Sequence, residues 1–278
     1  MLRRREDIQL KSAEQVRLMR RAGLVVAEGL ARMADAARPG VSTLELDRIA
    51  RAVLKSAKAS SSFLGYAGPP PFPAVICSSR NAAIVHGIPS ERDVLADGDL
   101  ISLDFGAIVG GWHGDAAITV AVGEVKGHTR ALSEACRAAL WDGIAAAAVG
   151  GRLTDISHAV ETSVRAAGDY GIVTGYGGHG IGTAMHMDPH VPNHGRPGRG
   201  PRLAAGMTLA IEPMITAGSP NTRQLSDQWT VVTADGSLAA HWEHTIALLE
   251  DGPWVLTAAD GGRAELAARG VSVSALAD

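Results

Sequence analysis

The chain reads as an α/β (α+β) protein of two similar halves, each made of two helices followed by strands. Three features say so. Helical stretches open each half, capped in the first, strand-like apolar runs follow them, and the order helix, helix, strands occurs twice with a joint near Gly123–Gly127. The halves run over about 8–123 and 127–257, within one unit of 1–257, and 258–278 forms a C-terminal tail.

Ser12 and Gln15 make a capping box. Val16, Met19, Gly23, Val26, Leu30 and Met33 then recur at helical spacing until "ARPG" stops the helix. Ser42 and Glu45 cap a second helix with its apolar face at Leu46, Ile49, Val53 and Leu54. After a Pro- and Ser-rich loop come strand-like stretches, "AVICSS", "AAIVHG", "LISLDFGAIV" and "GWHGDAAITVAVG". The second half repeats this with "GHTRALSEACRAALWDGIAAAAVGG", a helix ending at Gly-Gly, and "LTDISHAVETSVRAAG". Its strands are "MTLAIEPMITAG", "DQWTVVTADGS", "HWEHTIALLE" and "PWVLT". The tail offers one short helix. A site between two such halves is natural.

Bulk properties narrow the function. With 278 residues and 46% hydrophobic content the chain can bury a large core. A net charge of −3 gives no broad basic surface for nucleic acid. Arg3-Arg4-Arg5 reads as a solvated end, and the charges that follow it break any signal-peptide pattern. No apolar run reaches the ~18 residues of a membrane span. Two cysteines, Cys77 and Cys136, make no disulfide framework and suit a reducing cytoplasm.

The chemistry begins at "LDFGAIVGGWHGDAAITV", a hairpin with an acid in each arm. A two-residue turn at Val109-Gly110 would set Asp104 directly opposite Asp115, with Cβ atoms about 4.5–5.5 Å apart. Like charges so placed require either a retained proton or a cation between them. The bland alternative is a wet face.

The second half interrupts its strands in the same way. "GYGGHGIG" sets His179 among glycines, read as a bare loop where backbone approaches a ligand. His186 follows in "AMHMDPH", Glu212 sits in "LAIEPMI", Glu243 in "HWEHTIALL", and His86 ends "AAIVHG". Singly each has a surface reading, as do His128, His158, His190, His194 and His241. Together Asp104, Asp115, Glu212 and Glu243 carry four negative charges, which two divalent cations balance, with His179 adding a neutral nitrogen. One imidazole among carboxylates is a hard donor set that suits Mn, Fe(II) or Co.

At these residues the chain resembles the type I methionine aminopeptidases, of the pita-bread fold shared with prolidase and aminopeptidase P. The pieces "LDFGAIVGGWHGD", "GHGIG…MHMDP", "IEPM" and "WEHT" follow the family's order, from about Ile8 to Leu256. The resemblance implies two pseudo-symmetric halves around a curved, mostly antiparallel sheet. It implies that Asp104, Asp115, His179, Glu212 and Glu243 hold two divalent ions (Co²⁺, Mn²⁺ or Fe²⁺), Asp115 and Glu243 bridging, with a bridging water as attacking group. It further implies that His86 contacts substrate, that His186 stabilises the tetrahedral intermediate, and that Glu212 shuttles the proton. The substrate's free α-amino group would sit on one metal. Phe63, Tyr66, Phe72, Cys77, Met185 and Trp229 match the methionine pocket, where rings and soft sulfur suit a thioether; their bland reading is core packing. The implied partners are nascent polypeptide N-termini with a small second residue, near the ribosome, for a cytoplasmic monomer with no nucleic-acid or membrane partner.

The chain departs from the family at Ala116 and Ala117, where hydroxyl or amide residues are common, and at His241, which replaces a frequent glutamine. "AGPPPFPAV" is longer than usual. The sizeable N-terminal domain usual in prolidases is not seen, nor is the long insertion of type II enzymes, since 33 positions separate His179 from Glu212. Two other readings stand beside the first: a relative of Xaa-Pro or broader specificity, and a non-catalytic pita-bread binding protein.

Overall fold

The structure is a computed structural model that describes residues 8–66, 68 and 70–277. Arg3, Arg4 and Arg5 lie outside the described residues. Helices α1 (Ala13–Ala36) and α2 (Thr43–Ala57) open the first half. Both expected capping boxes are formed: Ser12 and Gln15 bond reciprocally, as do Ser42 and Glu45. The strands that follow are β1 (Ser60–Ser61), β2 (Ile76–Arg80), β3 (Ala83–Val85), β4 (Leu100–Val109) and β5 (Trp112–Ala121). The second half has α3 (Gly127–Ala145), α4 (Leu153–Ala167), β6 (Gly171–Ile172), β7 (Gly178–Gly180) and β8 (Met187–Val191). Then come β9 (Thr208–Ile211), β10 (Met214–Thr216), β11 (Thr222–Gln224), β12 (Val231–Thr233), β13 (Ala239–His241), β14 (His244–Leu249) and β15 (Gly252–Val255).

The helix after the joint is shorter than "GHTRALSEACRAALWDGIAAAAVGG" promises. It stops at Ala145 because the chain turns away to pair with the 201–203 segment: the Gly150 N–H donates to the Leu203 carbonyl (2.9 Å), and the Leu203 N–H to that of Gly151 (2.9 Å). Tertiary pairing overrides the alanines' helix preference here.

All strand pairs are antiparallel. Each half covers its own core with its helix pair. Phe105, Leu46 and Met33 lie under α1 and α2, and Leu132, Leu140 and Ile246 under α3 and α4. Each such side chain contributes about 1.5–3 kcal/mol by leaving water. The halves are tied in two places. Helix α1 passes so close to the end of β15 that a Cβ at Gly23 would meet the Leu256 carbonyl oxygen at 2.1 Å. Behind the site, β5 bonds the second half: the Glu243 N–H donates to the Ala117 carbonyl (2.9 Å) and the Ala117 N–H to that of Glu243 (3.3 Å). The tail forms the short helix α5 (Arg263–Ala267), with Leu266 in the second core and Arg269 bonded to Asp142 at 2.7 Å. Among the described residues no helix is long and apolar enough to cross a membrane.

Three sequence expectations change. The hairpin turn is Gly110-Gly111, both with left-handed φ (59° and 82°), so Val109 pairs with Trp112. Asp104 therefore faces Ala117, and Asp115 faces Gly106. The two acids are diagonal neighbours on one sheet face, not opposite each other. Second, "GHG" is no bare loop but the strand β7, held between β8 and β9. Its glycines admit neighbouring backbone rather than ligand: a Cβ at Gly178 would lie 2.2 Å from the Ala210 carbonyl oxygen, and one at Gly180 2.1 Å from that of Asp188. Third, "LAIEPMI" and "HWEHT" are each split between two sheets. β9 and β14 pair in one sheet and β10 and β13 in another, with Glu212-Pro213 and Trp242-Glu243 at the breaks.

The β7 contact generates a prediction. Gly178→Ala must push β7 from β9 and is expected to cost about 1–3 kcal/mol, measured by urea denaturation. A change within about 0.5 kcal/mol, ordinary for a neutral surface site, would contradict the packing account.

Candidate metal centre and its pocket

The centre is assembled from two antiparallel ribbons. On the first, β4 and β5 carry Asp104 and Asp115 diagonally on the same face. On the second, His244 pairs with Ile211 and His241 with Met214, so the register continuing through the breaks sets Glu243 opposite Glu212. The like-charge opposition expected within the hairpin thus falls here instead. His179 pairs with Ala210 and so shares the face of Glu212, two residues on. Thr245 joins the ribbons beside the acids: its hydroxyl donates to the Asp115 carbonyl (2.7 Å) and accepts the Asp115 N–H (3.1 Å).

The groups are close and dry. Donor atoms of Asp115, His179 and Glu243 all lie within 4.8 Å of one another, as do those of Glu212, His241 and Glu243. His179 Nε2 is 3.7 Å from Glu212 Oε1. Asp104 Oδ1, Asp115 Oδ1, Glu243 Oε1 and His241 Nε2 are shut from water without a hydrogen-bond partner among the described residues. Such orphaned acceptors are costly in a protein interior. A divalent cation satisfies them, so the donor set fits a metal and the cluster is able to bind one.

Protonation reflects the same crowding. Burial, then the neighbouring Asp115 and Glu212 charges, holds the Asp104 carboxyl well above its usual range. Burial with Asp115, Glu212 and Asp104 does the same to Glu243. Asp115 is pushed up to about 8 by burial and Glu212. Burial also opposes the charge of Glu212, but His241, His179 and His186 beside it outweigh that, and its carboxyl lies below the ordinary value.

Beside the acids opens a cavity of about 260 Å³. All the residues expected to bind substrate line it: His86, His186, Phe63, Tyr66, Phe72, Cys77, Met185 and Trp229. Its apolar wall is an apolar cluster apart from the two large cores, with Phe63, Phe72, Cys77 and Met185 buried and Tyr66 and Trp229 packed against them. The rings of Phe72 and Trp229 meet edge to face at 5.2 Å, and the Trp229 indole N–H donates to the Pro70 carbonyl (2.9 Å). Pro70 and Phe72 of the long "AGPPPFPAV" segment are thereby held against Trp229. Cys77 is the cross-strand partner of Asp104, and burial followed by the nearby carboxylates raises its thiol well above normal, so it stays neutral.

His86 adopts a left-handed backbone (φ 60°), a conformation that is uncommon outside glycine and collects at functional sites. It turns its ring between Tyr176 (6.0 Å) and Trp229 (6.1 Å). His186 stands at the mouth, its Nδ1 2.5 Å from the Tyr66 hydroxyl and its ring 4.3 Å from that of His179. Burial against the pocket, then His179, lowers its pKa to about 4.

Sequence reasoning missed several contributors. Tyr176, Met214 and His190 line the cavity, and Asn193 donates to the Glu212 carbonyl (2.9 Å), fixing the break in the ribbon. Tyr176 was in view within "GYGGHGIG", but nothing in its spacing marked it. His241 lines the cavity and is 1% exposed, so its bland reading fails; His128, His158 and His194 are exposed as expected. Ala116 packs in the first core, and Ala117 shares the face of Asp115 while its backbone holds Glu243.

A fold of paired two-helix halves with a carboxylate and imidazole cluster between them defines a metallopeptidase. The pattern of metallopeptidase family M24 matches residues 17–250, and the chain belongs to that family. It is 56% identical over 261 residues to methionine aminopeptidase 1 of Mycobacterium tuberculosis (strain CDC 1551 / Oshkosh), covering 92% of this chain and 97% of that protein. It is 46% identical to methionine aminopeptidase 1 of Bacillus subtilis (strain 168), covering 89% and 98%. The crystal structure of methionine aminopeptidase from Thermotoga maritima superposes with a TM-score of 0.87 at 37% identity, covering 90% of this chain and 99% of that one. Prolidase from Pyrococcus furiosus shares the fold at 19% identity and a TM-score of 0.71, and the chain spans 65% of its length. The expected pita-bread fold is thus the observed one.

The buried acids set a pH dependence. In the unfolded chain they lose their protons near pH 4, whereas folded and metal-free Asp115 keeps its proton up to about 8. Between those values the folded state binds more protons at these acids, which lowers its stability as pH rises. Neutral His186 and His244, held to about 4, raise it instead up to about pH 6.5. Thermal denaturation in chelator is therefore expected to show a melting temperature that drops from about pH 7 toward about 8, with added Mn²⁺ restoring more at the upper end. A metal-free melting temperature that rises through that window would contradict the burial of these acids.

Proposed function

We propose that this chain is a metal-dependent methionine aminopeptidase that removes the N-terminal methionine of nascent proteins and peptides whose second residue is small. The observation that carries the reading is the juxtaposition of a dry four-carboxylate, imidazole-bearing centre with a residue-sized pocket walled by aromatic rings and sulfur. The relatives named methionine aminopeptidase over nearly their whole length support it.

Asp104, Asp115, His179, Glu212 and Glu243 would hold two divalent ions, drawn from Co²⁺, Mn²⁺ or Fe²⁺ by their hard donor set. When bound, such a pair supplies positive charge that polarises the scissile carbonyl and activates water. Glu212, its carboxyl held below the usual range, is ionised and takes the attacking water's proton, then delivers it to the leaving amine. His186 Nδ1 pairs with the Tyr66 hydroxyl, and in the tautomer where that hydroxyl donates, His186 carries its proton on Nε2 and would offer it to the oxygen that becomes negative in the transition state. His86, fixed by its left-handed backbone, contacts the peptide beyond the first residue. Phe63, Tyr66, Phe72, Cys77, Met185 and Trp229 receive the methionine side chain. Residues 1–257 would act as one catalytic unit, to which the tail helix Arg263–Ala267 is tied through Leu266 and Arg269. The enzyme works as a monomer in the cytoplasm near emerging chains, which its two free, buried cysteines suit.

Metal-stripped protein titrated with Mn²⁺, Co²⁺ and Fe²⁺ is expected to release methionine from Met-Ala-Ser and to leave a Xaa-Pro peptide intact. Cleavage of the Xaa-Pro peptide alone would move the chain to prolidase chemistry. Glu212→Ala is expected to abolish turnover with the protein still folded by circular dichroism; unchanged turnover would remove the shuttle role. Tyr66→Phe should lower kcat by about tenfold or more with KM little changed, since it acts on a group used in the transition state. An effect on KM alone would make Tyr66 a pocket wall and nothing more.

A further inference from the structure

We propose that His241 is itself a metal ligand, grouped with Glu212 and Glu243 as His179 is with Asp115 and Glu243. This rests on reading the carboxylate cluster as a metal centre. The imidazole is 1% exposed, and its Nε2 is shut from water without a hydrogen-bond partner among the described residues. A buried nitrogen left so is costly unless something reaches it. Nε2 lies 3.4 Å from Glu212 Oε2 and 4.0 Å from Glu243 Oε2. Those spacings are long for hydrogen bonds, which for such groups run at about 2.7–3.2 Å. They are the spacings of atoms sharing one ion: ligands about 2.1 Å from a common cation stand at most about 4.2 Å apart. His179 Nε2 meets the other oxygen of Glu212 at 3.7 Å, so the carboxylate has an imidazole on each side.

The backbone holds His241 for this task. The Thr119 hydroxyl donates to the His241 carbonyl (2.7 Å) and accepts its N–H (3.0 Å), while the Cys136 thiol bonds the preceding carbonyl of Ala240 (3.4 Å). Thr119 is in turn paired with the Ser102 hydroxyl at 2.9 Å. A ring on so fixed a backbone is preorganised, as a ligand must be. A glutamine here would offer an amide oxygen instead. A second imidazole makes the site softer than four carboxylates and one histidine would, favouring ions later in the order Mn, Fe, Co.

The test uses the intact protein loaded with two equivalents of Co²⁺, read by X-ray absorption for coordinated imidazoles, with affinities from calorimetry. About one imidazole per cobalt is expected in the unaltered protein and about half of one in either His241→Gln or His179→Gln. His241→Gln should weaken Co²⁺ by at least about tenfold and Mn²⁺ by less, with the metal-free fold unchanged by circular dichroism. If His241→Gln does not fold, the counts for the unaltered protein and for His179→Gln still decide. About half an imidazole per cobalt in the unaltered protein, unchanged in His241→Gln and lost in His179→Gln, overturns the proposal and makes His241 a neighbour of Glu212. Folded protein that binds no Co²⁺ overturns the metal-centre reading itself, a result distinct from a missing second ring.

Discussion

Four carboxylates brought together in a dry interior are the constraint on which the rest of the structure depends. Asp115 and Glu243 are buried almost completely, Glu212 nearly so, and the charges of Asp115 and Glu212 act on Asp104 as that of Asp104 acts on Glu243. No hydrophobic packing compensates such a cluster; it needs positive charge or protons. The fold keeps the acids from drifting apart by crossing its two halves behind them. Ala117 and Glu243 exchange backbone hydrogen bonds, and Thr245 clamps both main-chain groups of Asp115.

The pocket follows from the same crossing. Strand β2 sets Cys77 against Asp104, so the apolar wall begins one residue pair from the acids. The segment ending at Phe72 closes the far side through Trp229, which stands just before β12, and β12 pairs with β3 of the other half. Specificity and chemistry are therefore built on the same few strand contacts. Tyr66 spans both, being part of the apolar wall while its hydroxyl meets His186.

Much of this was legible in the sequence because local chemistry decides it. The capping boxes at Ser12 and Ser42 depend on residues three apart, and the strand 100–109 is bounded as its apolar run suggests. Long-range pairing was not legible. The hairpin register turns on whether Val109 or Gly111 belongs to the turn, and two adjacent glycines able to adopt positive φ decide it. The same ambiguity hid the true opposition of Glu212 and Glu243, since each sits where a strand leaves one sheet for another. The glycines around His179 signalled close approach correctly, but spacing cannot say whether ligand or neighbouring strand comes near. His241 reads as bland by itself, and only its place in the family pattern, two residues before Glu243, set an extra imidazole near the site, where the fold buries it beside two acids.

The most direct measurement is anomalous diffraction from crystals equilibrated with Mn²⁺. The account predicts peaks between the ribbons, within reach of Asp104, Asp115, His179, Glu212 and Glu243. Density without a peak between these carboxylates, in crystals that retain the fold, would contradict it.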